Sequence, residues 1–293
     1  MKELKLNSIQ DLKKEGKSFY WASFFLPRKC RINAGKLYSI CRHFDNIADK
    51  DKEDRSQVLK NSIEKIKSDN KDVVRTFLLE NKINNSIFFD LIEGLIEDQK
   101  RSIIVNKNEL IKYCYQVAGT VGLMMSKIIG VQNKKAATSA IDMGIAMQLT
   151  NIVRDVFEDA QMNRIYIPLE WIPNIDTSVL NRKDNIKLEE DRIISDAIHR
   201  LIELSENFYK NGFSGLKYIP PRTRLGIFIA ANIYRGIGIK IKNNGKKYLR
   251  KRIYLNSFEK LIITIRSIIL FIFIPIINFK YTKLRDQLPN ENL

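Results

Sequence analysis

The chain has 293 residues, with 50 Lys+Arg against 33 Asp+Glu and a net charge of +17. Hydrophobic residues make up 44%, which excludes wholesale disorder because enough apolar surface is present to build a core. Seven Pro and thirteen Gly are too few for a strand-and-turn architecture, and the basic excess suits nucleic acid, an anionic membrane or a polyanionic substrate equally well.

Apolar residues recur at three- and four-residue spacing through most of the chain, so an all-α, single-domain protein is expected. The N-terminal stretch has no apolar core segment, and no secretory signal is expected. A first amphipathic helix is predicted over 31–48, carried by Ile32, Leu37, Ile40, Cys41, Phe44 and Ile47. The stretch 51–72 is highly charged and reads as solvated. Residues 109–130 are apolar nearly all round, the pattern of a helix buried on most sides. Its small residues Ala118, Gly119 and Gly122 allow either close helix packing or room for a bulky ligand. A long helix over 136–159 leads into a loop marked by Asn163, Pro168 and Pro173, and 189–245 is helical again.

From 207 to 258 there is no Asp or Glu but there are twelve Lys/Arg, and directly after lies an apolar segment, 261–279, interrupted by Arg266 and Pro275. A spanning helix wants about 20 apolar residues without a central charge. A basic stretch beside an apolar one reads instead as attachment to an anionic bilayer face, with a buried terminal helix as the alternative. The three cysteines, Cys30, Cys41 and Cys114, form no CxxC pair and no disulfide framework, which points to a reduced, cytoplasmic protein, and the basic and apolar stretches then suggest a peripheral place on the inner face of the membrane. Two histidines, His43 and His199, are too few for a His-rich zinc site.

Two segments carry chemistry. Each holds a DxxxD pair, Asp45/Asp49 and Asp155/Asp159, and the i, i+4 spacing puts both carboxylates on one helical face. Gln148, Asn151, Asp155 and Asp159 form one continuous stripe. Like charges a turn apart repel, and a bridging cation relieves them. Mg²⁺ is the natural candidate, because it takes hard oxygen ligands and shares them between one or two carboxylates and substrate phosphates. Arg42 and Arg154 stand beside the pairs, and the guanidinium fork matches phosphate.

These residues carry a resemblance to the squalene/phytoene synthase family, the head-to-head prenyl synthases. KSFYWASFFLP (17–27) resembles the family's N-terminal segment and LYSICRHFDNIAD (37–49) its first aspartate motif. YCYQVAGTVGLMM (113–125) resembles a middle helix of phytoene-synthase type, and QLTNIVRDVFEDAQMNRIYIP (148–168) the second aspartate motif and its sequel. The resemblance implies an isoprenoid-synthase-like helical bundle around a large central cavity. A catalytic domain would occupy 1–260, and 261–293 would be an apolar segment and polar tail associated with a membrane. By position, Asp45, Asp49, Asp155 and Asp159 fall on the family's Mg²⁺–diphosphate aspartates, with Mn²⁺ as a substitute metal, and Asn151 and Gln148 on neighbouring polar ligands. Tyr38, Arg42, Arg154, Arg164 and Tyr166 fall near the diphosphates and reacting carbons. Ser18 and Phe19 fall on the substrate segment, and Ala118, Gly119 and Gly122 on the cavity wall. The chain departs from the pattern at Gly16, where the family often has Ser, and at Asn46, where many members have Asp; Tyr248 does not align cleanly.

The implied activity is that of a 15-cis-phytoene synthase joining two geranylgeranyl diphosphates without NADPH. A squalene or presqualene diphosphate synthase using farnesyl diphosphate is the alternative within the family. A non-catalytic helical protein that binds lipid or nucleic acid is the alternative outside it, although four carboxylates at a phosphate site argue against nucleic acid. The enzyme reading requires both aspartate stripes to face one cavity. The oligomeric state is left open by the sequence.

Overall fold

A computed structural model of the chain describes residues 9–49, 54–100, 103–133, 135–181, 187–243, 252–273 and 279–291. Most of the described residues are helical, and the only β pairing among them is a single parallel bridge between Ile103 and Ile165. Two short helices, α1 (Gln10–Glu15) and α2 (Lys17–Ser23), precede α3 (Arg28–Ala48). Then follow α4 (Ser56–Ser68), α5 (Val73–Glu80), α6 (Asn85–Lys100), α7 (Lys107–Cys114) and α8 (Thr120–Ile128). The C-terminal half is built from α9 (Ala136–Gln161), α10 (Leu188–Ser214), α11 (Pro221–Asn243) and α12 (Ser257–Phe273).

Three predicted elements differ in detail. The charged 51–72 stretch contains α4, which buries Leu59, Ile63 and Ile66 on one side, so its charges occupy only the outer face. The helical pattern over 189–245 is two helices, because Pro220 and Pro221 end the first and start the second. The middle helix is not continuous: a π turn, Tyr115–Gly119, joins α7 to α8. Another helix packs closely on that turn. Gly94 of α6 lies so close to Gln116 that a Cβ there would stand 2.5 Å from the Gln116 Cβ.

Small residues also set the α8–α9 crossing. A Cβ on Gly122 would meet the Ala140 carbonyl oxygen at 2.2 Å, and one on Gly144 would meet that of Ala118 at 2.2 Å. Gly119 packs against Ile141 and Tyr115 in the same crossing. These backbones touch because nothing larger than hydrogen separates them.

The tail, 279–291, lies along the bundle. Arg285 donates through Nε to Asp142 Oδ1 at 2.7 Å, with both side chains at most 3% exposed, and Arg285 also pairs with Glu291. Asn211 Nδ2 donates to Asp142 Oδ2 at 2.8 Å and to the Thr282 carbonyl at 2.8 Å, while the Thr282 N–H donates to Asn211 Oδ1. Further along, the Tyr115 hydroxyl donates to Asp90 and to the Pro289 carbonyl, and Asn290 Nδ2 donates to Asp90 at 2.7 Å. The tail thus stitches α6, the π turn, α9 and α10 together. Among the described residues no helix is long and apolar enough to cross a membrane.

Candidate active site

Helices α3 and α9 each present a graded stripe. On α3, Ala34, Tyr38, Cys41 and Asp45 line a cavity of about 330 Å³ and run from apolar to acidic. On α9, Ala136, Ala140, Met143, Met147 and Asn151 do the same, with Gln148 beside them. Phe19 of α2, Ala118 of the π turn and Gly122 of α8 complete the wall. The cavity is therefore oily at one end, and its polar end, at Asp45, Gln148 and Asn151, lies beside the two aspartate motifs.

Both motifs lie at helix C-termini, where neither helix has a basic residue in its last turn. The helix dipole disfavours carboxylates there, so this placement opposes stability and calls for positive charge from outside the helix. Arginines supply part of it. Arg42 donates through Nε to Glu15 at 2.6 Å and stands 3.8 Å from Asp45. Arg154 forks onto Asp155 and also reaches the Tyr234 hydroxyl. Arg252 holds Asp155 from the other side at 2.8 Å.

Arg164 links the motifs. After α9, Asn163 adopts φ 60, and the Arg164 N–H returns to the Asp159 carbonyl at 2.9 Å while that of Asn163 bonds the Ala160 carbonyl. This is a Schellman closure with Asn in the left-handed position. It turns the chain back so that Arg164 Nη2 donates to Asp49 Oδ1 at 2.8 Å. Bonds from the Ile104 N–H to Ile165 and from the Leu169 N–H to Ile104 pin this loop beside the segment that follows α6. There the Tyr166 hydroxyl donates to both Asp98 oxygens, at 2.8 and 2.9 Å, and stacks on Tyr113 at 4.7 Å.

The acids crowd one another. Burial pushes Asp45 up to about 6, with Asp49 and Asp98 adding and Arg42 and Arg164 opposing. Burial pushes Asp159 up to about 7, with Asp155 and Asp98 adding and Arg164 and Arg154 opposing. Asp98 is raised by burial against its bond from Tyr166. Shared neighbours of this kind place both aspartate pairs at one mouth. No three Asp, Glu, His or Cys side chains among the described residues stand close enough to grip a bare metal ion.

Most of the predicted residues meet here: Tyr38, Arg42, Asp45, Asp49, Gln148, Asn151, Arg154, Asp155, Asp159, Arg164 and Tyr166, with Phe19, Ala118 and Gly122 in the cavity wall. Ser18 is half-buried on α2 beside Phe19 and does not line the cavity, and Asn46 points to solvent. Gly119 serves the helix crossing and not the cavity surface. Tyr248 lies outside the described residues.

Four participants escape the motif reading: Asp98, Tyr113, Tyr234 and Arg252. A signal existed for Asp98, which follows the buried Leu91 and Leu95 at i+7 and i+3 and so places an acid on an apolar face. Tyr234 stacks on Phe19 at 4.6 Å, a contact between α2 and α11 that no local pattern encodes.

The family model for squalene/phytoene synthase matches residues 12–259. Over 274 residues the chain is 29% identical to a 15-cis-phytoene synthase of Pantoea ananas, covering 87% of this chain and 88% of the relative. It is 34% identical over 184 residues to a phytoene synthase of Pseudescherichia vulneris, covering 62% of this chain and 58% of that one. A solved dehydrosqualene synthase with bound ligand superposes with a TM-score of 0.79 at 26% identity, over 89% of this chain and 93% of that one. A squalene synthase from Alicyclobacillus acidocaldarius shares the fold, with a TM-score of 0.69 at 20% identity over 81% and 91% of the two chains.

Proposed function

The chain belongs to the squalene/phytoene synthase family of prenyltransferase enzymes, and from that premise we propose that it is a 15-cis-phytoene synthase. It would condense two geranylgeranyl diphosphates head to head, through a cyclopropylcarbinyl diphosphate, with release of two diphosphates and two protons, one as the cyclopropane closes and one as the final double bond forms. The observation that carries this reading is the convergence of two acidic helix ends, bridged by Arg164, on the mouth of an apolar cavity. Such a site suits a substrate with one polyanionic end and one long hydrocarbon end. The relatives that cover most of the chain support the phytoene reading over others.

The residues fit divalent metal. Asp45, Asp49, Asn151, Asp155 and Asp159 offer hard oxygens, and Asn151 Oδ1 is buried without a hydrogen-bond partner. Mg²⁺ is held by one or two carboxylates together with substrate phosphates, a demand these oxygens would meet. When bound, Mg²⁺ or Mn²⁺ supplies the positive charge that stabilises a departing diphosphate. Arg42, Arg154 and Arg164 stand at the same mouth, where their guanidinium groups would donate to phosphate oxygens. Below them Met143, Met147, Val117 and Val121 keep water from the allylic cation that ionisation leaves. Tyr38, whose hydroxyl burial pushes up to about 12, stays neutral and faces the cavity between the acids and the oily wall.

The test offers purified protein and Mg²⁺ with geranylgeranyl or farnesyl diphosphate, with and without NADPH. Phytoene from the longer substrate, without NADPH, is expected, and a chelator should stop the reaction until Mg²⁺ is restored. Exclusive turnover of farnesyl diphosphate would overturn the reading in favour of a dehydrosqualene- or squalene-type enzyme, which the likeness to the dehydrosqualene synthase structure favours.

A further inference from the structure

Helix α12 has two unlike faces. Its inner face is anchored: Trp21 Nε1 donates to Thr264 Oγ1 at 3.1 Å, Ile263 packs on Gly236 of α11, and Ser267 is buried. Its outer face carries Phe258, Leu261, Ile262, Ile265, Ile269 and Ile272, each between 44% and 68% exposed. Their spacing, i, i+3, i+4, i+7, i+11 and i+14, is one continuous helical stripe. A single large apolar residue in water is ordinary, but a stripe of six along four turns is a docking surface.

Charge identifies what docks. Arg266 stands exposed at the edge of the stripe, and Lys17 lies near Lys260 at the helix start. The helix's one acid, Glu259, is neutralised by Lys240 at 2.6 Å. The surrounding sequence, 207–258, contains no acid at all. An apolar stripe edged with unopposed cations matches the boundary between acyl chains and anionic headgroups, whereas a protein partner would have to match a stripe that offers almost no hydrogen bonds. Among the described residues no helix is long and apolar enough to span a bilayer, and an arginine at the edge of the stripe is suited to an in-plane position, where its stem lies along the acyl chains and its head reaches phosphate.

We propose that the outer face of α12 docks in the plane of an anionic lipid bilayer. The consequence for the site follows from topology. The helices α12 packs on, α2 and α11, both line the cavity, through Phe19, Ala22, Gly226 and Ala230. Docking therefore sets the oily wall of the cavity one helix away from the acyl chains. An amphiphile with a hydrocarbon tail would then move from bilayer to cavity without crossing bulk water.

The experiment uses the full-length protein and floated vesicles of phosphatidylcholine with or without phosphatidylglycerol. Wild type should float with the anionic vesicles and lose most of that binding in high salt. Ile265→Glu/Ile269→Glu should lower the partition coefficient at least ten-fold, Arg266→Glu several-fold, and the milder Ile262→Asn/Ile269→Asn by an intermediate factor. Turnover of detergent-dispersed prenyl diphosphate should be unchanged in all three, which separates this proposal from the identity of the substrate. Flotation of the double variants at the wild-type level would overturn the proposal. So would a wild-type dimer that the double variants convert to monomer without any vesicle binding, since a second copy would then be the occupant.

Discussion

The two ends of α9 hold buried acids of opposite character. At the far end Asp142, fully buried in α9, has a complete set of partners: one arginine, Arg285, and one amide, Asn211. At the mouth Asp45, Asp49, Asp98, Asp155 and Asp159 face Arg42, Arg154, Arg164 and Arg252, and Arg42 is already engaged by Glu15. There the match is incomplete, and burial leaves Asp45 at about 6 and Asp159 at about 7. About 20 Å of helix separates Asp142 from Asp155 at 1.5 Å per residue. One helix thus carries a closed network that holds the fold and an open one that, on the function proposed above, a divalent metal would complete. The lesson is that burial of a charge says little by itself; whether its partners suffice tells structure from function.

The sharpest way to test that contrast is to break each network in turn. Arg285→Met leaves Asp142 and Glu291 buried without their cation, and a buried pair broken on one side costs about 3–5 kcal/mol. Urea unfolding should show a loss of that size, with kcat per folded molecule unchanged. Asp155→Asn should behave in the opposite way. It removes a carboxylate whose charge is used on the ligand, so turnover should fall about 10²–10³-fold, the scale for losing one preorganised electrostatic contact. Its Tm should match wild type, because the like-charge strain on Asp159 is relieved at the same time. A Tm loss equal to that of Arg285→Met would erase the distinction between the two ends. Gly144→Ala probes the wall between them. Its Cβ would meet the Ala118 carbonyl, so overpacking of about 1–3 kcal/mol is expected in thermal unfolding, together with a raised KM as Ala118 is pushed into the cavity.

The sequence showed one of these networks and not the other, for a physical reason. Mouth residues repeat locally: DxxxD places two acids a turn apart, and the stripe from Gln148 to Asp159 follows helical spacing, so the helix itself makes them neighbours. Their bundle and helices α3 and α9 were legible for the same reason, since apolar spacing is local too. The far end depends on contacts between Asp142 and Arg285, 143 residues apart, and between Tyr115 and Pro289, 174 apart. No local period encodes those, and Asp142 was visible only as an acid inside an apolar run. The π turn has no local signal either, and Gly94 of another helix packs closely on its Gln116. In α12 the pattern was legible as apolar and basic, but only the fold separates its packed face from its exposed one.

The finest test compares two tyrosines, one in each network. Tyr115 donates to Asp90 and the Pro289 carbonyl in the tail network, where Asn290 still bonds Asp90 when the hydroxyl is gone. Tyr115→Phe should cost about 1 kcal/mol, the net worth of an ordinary hydrogen bond, seen as a Tm lower by about 2–4 °C with kcat unchanged. Tyr166 donates to both oxygens of Asp98, and Asp98 in turn lies beside Arg164. Without that hydroxyl, Asp98 loses its fixed donor and draws Arg164 away from Asp49 and from the diphosphate it would meet. Tyr166→Phe should therefore lower kcat about ten-fold, equivalent to about 1.4 kcal/mol, at a Tm no lower than that of Tyr115→Phe. The two substitutions delete the same atom from two buried rings. If Tyr115→Phe slowed turnover as much as Tyr166→Phe, the tail would belong to the catalytic machinery, and the division between a closed network for stability and an open one for chemistry would fall.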